Sequence, residues 1–207
     1  MRTVRMATVA AVTVLATLSG AACTGESSNA TDLPSASREQ PAPPTIAVTV
    51  GPAPSQPGKS GQVAKYDSCT QIGDDVVSKL GFDAVTRRRS DYVFDHYSFI
   101  GCGFERMEDI RTQRLRVGSL TLWSSTRSLD DVRNRPDYLA KREIRVNGRE
   151  GFGYRLADDP ACNIAMSGPD GVFVVKVSSS AALTSWVACD HIEEVAQAIE
   201  AVLPPVK

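Results

Sequence analysis

The chain is poor in the residues that usually perform chemistry. Only two histidines, His96 and His191, stand in 207 residues. There is no G-x-S-x-G, no H-E-x-x-H, no C-x-x-C and no phosphate-cradling glycine loop. The common signatures of acyl transfer, zinc hydrolysis, thiol redox work and nucleotide binding are therefore missing. Net charge is −1 with both signs interspersed, which is not the basic footprint of a nucleic-acid binder. Internal repeats and heptad runs are absent too. No catalytic, cofactor-binding or metal-ligating residue is assigned. No cofactor is expected, and the chain is expected not to be an enzyme.

One apolar run does occur, at the N-terminus. Arg2 and Arg5 precede an apolar stretch, 7–18, interrupted only by Thr8, Thr13 and Thr17. Ser19, Gly20, Ala21 and Ala22 follow as a small-residue cleavage zone, so 1–22 is expected to be a secretory signal peptide. The apolar stretch is shorter than the roughly 20 residues a membrane-spanning helix needs. Cys23 comes directly after the small residues and is expected to carry a lipid. Gly20 stands where a lipoprotein peptidase prefers a large apolar residue, so simple secretion is the alternative. The segment 23–62 is rich in Ser, Thr, Ala, Gly and Pro, with prolines from Pro34 to Pro57 spread along it. Such composition buries too little apolar surface to offset ordering entropy, so a disordered, semi-rigid tether is expected. A single domain is then expected over 63–207, a size that supports a real core.

Four further cysteines lie in that domain: Cys69, Cys102, Cys162 and Cys189. An even count in an exported chain points to two disulfides, and four cysteines permit three pairings. Periodicity narrows them. Ser68-Cys69-Thr70-Gln71 reads as a capping box, with Cys69, Ile72, Val76 and Leu80 on one helical stripe that Gly81 ends. Ile100, Cys102 and Phe104 share one face of a strand. Cys162, Ile164 and Met166 alternate in another, and the turn Gly168-Pro169-Asp170-Gly171 returns the chain. A last helix, from about Asp190 to Leu203, carries Ile192, Val195, Ala196 and Ile199 on one stripe, with Cys189 at its head. Cys69–Cys102 and Cys162–Cys189 are the expected bridges, each tying a helix to the inner face of a strand.

Between these, Leu115 and Val117 fall on one strand face and Leu120 and Leu122 on the other, so Gly118 marks an expected bulge. Ser128 opens a short helix cut by Pro136, and Asn147-Gly148 is a strong hairpin signal. The expected fold is α+β: a largely antiparallel sheet with N-terminal and C-terminal helices packed on it.

The stretches "DSCTQIGDD", "GCGF", "VNGREGFGY", "ACNIAM" and "CDHIEEVAQAIEAVLP" resemble, in order and spacing, an actinobacterial lipoprotein family catalogued as domain of unknown function 3558. The resemblance spans about 66–204 together with the arrangement of signal, cysteine and stalk. It implies an address on the outer face of the cytoplasmic membrane, and it brings no reaction, ligand or catalytic residue.

The remaining candidates are thin. Asp95-His96 has the form of half a triad but reads better as a polar pair near a strand start. Cys189-Asp190-His191 lacks metal-ligand spacing, and Asp158-Asp159-Pro160 reads as a turn. Arg87, Arg88 and Arg89 form the sharpest charge run, with Arg111, Arg114 and Arg116 in the same half. They could be a basic patch for anionic lipid or a wall polymer, though a solvated face offset by Glu105, Glu108 and Asp109 is the simpler expectation. The leading functional expectation is a non-catalytic binding or interaction module, tethered to the membrane. Its partner would be an envelope protein, a cell-wall component or a small ligand. The alternatives are an envelope enzyme with a scattered site and an accessory subunit of an envelope complex.

Overall fold

The computed structural model describes residues 43–56 and 63–206. The expected signal peptide, Cys23 and the first part of the expected tether lie outside the described residues.

Alternating apolar residues build one sheet. In chain order its strands are β1 (Asp83–Arg89), β2 (Tyr92–Val93), β3 (Ser98–Ile110), β4 (Gln113–Ser125), β5 (Tyr138–Val146), β6 (Arg149–Leu156), β7 (Asp159–Ser167) and β8 (Val172–Ser179). The sheet order is β1-β3-β4-β8-β7-β6-β5, with β2 also paired to β3, and every pairing is antiparallel. Four helices accompany it: α1 (Ser68–Gln71), α2 (Asp74–Lys79), α3 (Leu129–Arg133) and α4 (Ala188–Glu200). The α+β class and the largely antiparallel sheet are as the sequence indicates.

Both faces of the sheet are buried at its centre. On one face Cys102, Leu122, Val175 and Ile164 stand side by side across four strands. The stripe Ile192, Val195, Ala196 and Ile199 of α4 packs here, as do Cys69, Ile72 and Val77 of the N-terminal helices. Cys69–Cys102 and Cys162–Cys189 are bonded, with Cα atoms 4.9 and 5.3 Å apart. On the other face a smaller cluster of Phe152, Tyr154, Ala165, Val172 and Val174 packs under Leu129 and Val132 of α3. This helix is held by a reciprocal cap between Ser128 and Asp131.

Three local expectations are corrected. Ser68 is not the N-cap: Asp67 is, accepting from the Cys69 N–H at 3.0 Å, while the buried Ser68 hydroxyl donates to Leu122 O at 3.0 Å. The first helix is also not continuous, for Ile72 and Gly73 are extended and divide α1 from α2. The carbonyls freed at this break are taken by Arg87, whose guanidinium donates to Cys69 O at 2.9 Å and Ile72 O at 3.0 Å. The third correction concerns the tether. Within 43–56 the chain is bound to the domain: Asp74 N–H donates to Thr45 O, Ala47 N–H donates to Asp74 Oδ2, and Val50 packs on the core. Further along, Gln56 exchanges two hydrogen bonds with the Ala64 backbone and accepts from Ser98 Oγ at 2.7 Å. A proline-rich segment makes few backbone bonds of its own, so its remaining amides are free to pair with the domain.

The expected bulge is present. Arg106 faces Gly118 and Met107 faces Arg116, which leaves Val117 as the extra residue of β4. The β5–β6 turn has Asn147 and Gly148 at φ 47° and 96°, a type I′ hairpin. Asp170 does more than close the β7–β8 turn. Its Oδ2 accepts from Lys65 N, Tyr66 N and Ser124 Oγ at 2.7–3.1 Å, joining the start of the domain to this turn.

Gly101 of the "GCGF" stretch faces Trp123 across β3 and β4. A Cβ there would stand 2.3 Å from Trp123 Cδ1 and 2.4 Å from Leu122 O. Gly101→Ala should therefore cost about 1–3 kcal/mol and push the indole aside. Urea unfolding read by tryptophan fluorescence should show both the lower midpoint and an altered native spectrum.

Candidate functional site

The face of the sheet that carries α3 is only partly covered by it. Beside α3 lies an open pocket of about 310 Å³, near the lower end of the size range of small-ligand sites. Its floor follows from register. Trp123, Val174, Ala165 and Phe152 form one row across β4, β8, β7 and β6. Two residues along, Thr121, Lys176, Asn163 and Tyr154 form the next row on the same face. Trp123, Val174, Lys176, Asn163 and Tyr154 line the cavity, with Leu156 further along β6.

The walls come from the sheet edges. Tyr92 of β2 tilts against Trp123 with ring centroids 5.7 Å apart, and Phe94 and Phe99 add rings beside it. From the other edge, Tyr138 of β5 stacks on Tyr154 at 3.9 Å. Arg135, in the loop before β5, lies 4.9 Å over the Tyr138 ring. The chain has two Trp, five Tyr and six Phe, and six of these rings line this one pocket. Trp123 is fixed by more than packing, since its Nε1 donates to Ser90 O at 2.5 Å.

The charged groups of the pocket are paired. Arg135 forms a bidentate bond with Asp137, at 3.0 and 2.6 Å. This bond holds the Asp137 carboxyl below its ordinary value and raises the guanidinium. Lys176 pairs with Asp159. Burial alone would push the Asp159 carboxyl up, but the Lys176 bond and the Ala161 N–H outweigh it and the net shift is downward. Burial, with Tyr138 beside it, lifts the Tyr154 phenol well above 10.0, so the hydroxyl stays protonated. Asn163 is buried and donates one amide N–H toward Tyr154 O at 3.5 Å.

A pH dependence follows from the two lowered carboxyls. Stability contributed by a depressed carboxyl is complete above its unfolded value, 3.8, and is lost as pH falls through the lower folded value. Wild type should thus lose stability below about pH 4, and Asp159→Asn should lose less over the same interval. Urea midpoints at pH 5 and pH 2.5 for the two proteins check this; equal losses would remove Asp159 from the acid response.

Of the residues singled out from sequence, Asp159 lines the pocket and the others lie elsewhere. The arginines of the possible basic patch are dispersed by strand alternation. Arg87 points inward and its side chain is 0% exposed, bonded to Asp74 at 2.5 Å and lying 4.8 Å over the Phe104 ring. Arg89 is bonded to Asp67 and Asp91, and only Arg88 stands half-exposed, paired with Glu105 at 3.1 Å. Arg114 and Arg116 pair with Asp83 and Glu105. His96 is exposed in the loop between β2 and β3. His191 stacks on Trp186 at 5.4 Å and contacts Glu194 in a cleft of about 180 Å³. Asp159 lines the pocket directly, paired with Lys176, and Cys189 is in its disulfide. No cluster of metal-ligating side chains occurs among the described residues. No described helix is long and apolar enough to cross a membrane.

The aromatic pocket is what reasoning from sequence missed. Its local signal was present: Tyr92, Phe94, Tyr97 and Phe99 crowd a stretch of eight residues. What sequence lacks is the register that sets Trp123 and Tyr154 opposite them. The family model described as "Protein of unknown function (DUF3558)" matches residues 18–201. The chain belongs to this family. The DUF3558 match takes in all four bonded cysteines and every residue of the pocket. No curated protein and no solved structure matches the chain.

Proposed function

We propose that this protein is an exported, lipid-anchored envelope protein whose folded domain is a ligand-binding module, with the aromatic pocket between Trp123 and Tyr138 as its site. The observation that carries the binding half is the pocket itself. Six rings gather on a rigid antiparallel floor, and their polar neighbours are locked in pairs. Such a site is preorganised and holds a ligand without ordering a loop. Both histidines lie outside its lining, which favours binding over acid–base chemistry there. The anchoring half rests on sequence: the charged start, the apolar core, the small residues and Cys23 directly after them. The segment 43–56 is bound to the domain, so this part of the expected tether belongs to the folded unit.

Intact mass of the mature protein from its native host tests the anchor. A mass beginning at Cys23 and carrying a diacylglyceryl group is expected, and two acyl chains suffice for stable anchoring. An unmodified N-terminus would replace the anchor by secretion. Native mass spectrometry of the same material tests the pocket. A small adduct is expected on wild type and should be lost in Trp123→Ala; an adduct unchanged by that substitution would place the ligand elsewhere.

A further inference from the structure

The geometry points to a neutral saccharide unit, a mono- or disaccharide with free hydroxyls, as the ligand of the aromatic pocket; this rests on the binding reading above. Three features select it. First, the site carries no unpaired charge. Arg135 is engaged by Asp137 and Lys176 by Asp159, so the charges of the lining offset one another and favour neither an anionic nor a cationic ligand. Second, two of the lining rings are already stacked on each other. Tyr138 lies on Tyr154 at 3.9 Å, and Phe94 lies on Tyr97, a ring outside the lining, at 4.6 Å. Trp123 lies against the Gly101 backbone, with Tyr92 tilted beside it at 5.7 Å. A sugar ring stacks its C–H face on one aromatic face and needs no sandwich.

Third, the polar atoms around the rings suit hydroxyl groups. Carboxylates keep spare lone pairs when bound to one cation, and a guanidinium has donors beyond the two given to Asp137. The Asn163 amide adds a donor and an acceptor on the floor. A hydroxyl both donates and accepts, so a polyol meets this mixed rim without disturbing either ion pair. The cavity of about 310 Å³ is sized for one or two such rings and is open at one side.

The test uses the purified full chain in detergent, carrying Trp186→Phe so that Trp123 is its remaining tryptophan. The probes are glucose, galactose, mannose, arabinose, N-acetylglucosamine, maltose and cellobiose, read by tryptophan fluorescence. Saturation-transfer NMR reads the same sugars on the wild-type chain, Trp123→Ala and Tyr92→Ala. A parallel titration uses the anionic aromatic amphiphile 8-anilinonaphthalene-1-sulfonate. At least one sugar is expected to shift Trp123 emission saturably, with a millimolar or tighter Kd. Trp123→Ala should weaken binding about tenfold or more. Tyr92 is exposed at the rim, so Tyr92→Ala gives a second variant that leaves the core alone. Sugar binding unchanged in both variants would overturn the proposal. Binding of the aromatic amphiphile alone, dependent on Trp123, would overturn the saccharide class and leave the pocket as a binding site. Binding of neither would overturn both.

Discussion

Arg87→Ala is expected to destabilise the domain by about 3–5 kcal/mol, while Arg88→Ala beside it should change stability by less than about 0.5 kcal/mol. The two residues are neighbours in sequence and opposites in environment. The Arg87 side chain is fully buried, and its fork joins three elements: the last carbonyls of α1, the Asp74 carboxylate at the head of α2, and the Phe104 ring of β3. Removing it strands Asp74 and two carbonyls at the break between α1 and α2, where no helical N–H is available to satisfy them. Arg87→Lys should restore only part of the loss, because an ammonium cannot span two carbonyls and a carboxylate as a planar fork does. Arg88 is 46% exposed and makes one ion pair, which water screens. Urea unfolding of the three variants at neutral pH checks the order. Equal losses in Arg87→Ala and Arg88→Ala would remove the buried fork from the account of this fold.

Loss of either disulfide should cost about 3.5–4 kcal/mol, and loss of both should leave the domain largely unfolded at 37 °C. The bridged residues are 33 and 27 apart, and loop-closure entropy sets the two contributions nearly equal. The consequences should differ in place. α1 has four residues and α2 six, too short to hold themselves, so Cys69→Ala/Cys102→Ala should loosen the layer around 63–82 first. α4 has thirteen residues and a continuous apolar stripe, so Cys162→Ala/Cys189→Ala should lower the overall midpoint while α4 keeps its place. Hydrogen exchange resolved by segment separates the two patterns, with thiol titration confirming oxidation of the wild type. A wild type with four free thiols, or exchange that rises evenly across both variants, would contradict this division.

How far the molecule was legible varies with range. Period-two alternation placed Cys102, Cys162, Ile164 and Met166 on the helix-covered face, because in a strand the face of each side chain is set by its own position. The same logic found the stripe of α4, the bulge beside Gly118 and the Asn147-Gly148 turn. It failed at the first helix, where the stripe Cys69, Ile72, Val76 and Leu80 suggested one continuous segment. A side chain from β1 and a carbonyl from Thr45 decide that break, and neither is local. Composition likewise misplaced the tether boundary. Prolines describe how a segment behaves when free, and the bonds that bind 43–56 come from Asp74, Ala64 and Ser98.

The sequence by itself determined the fold class, the two bridges and the family, because each is read from periodicity within single elements and from the order of those elements along the chain. The tertiary structure alone decided the site. Trp123, Tyr154, Lys176 and Asn163 meet only through the register of β4, β8, β7 and β6, and Arg87 leaves the surface only because β1 turns it beneath α1 and α2. A pocket is a relation among distant rows of a sheet, and a one-residue slip in any strand would send its side chains to the opposite face.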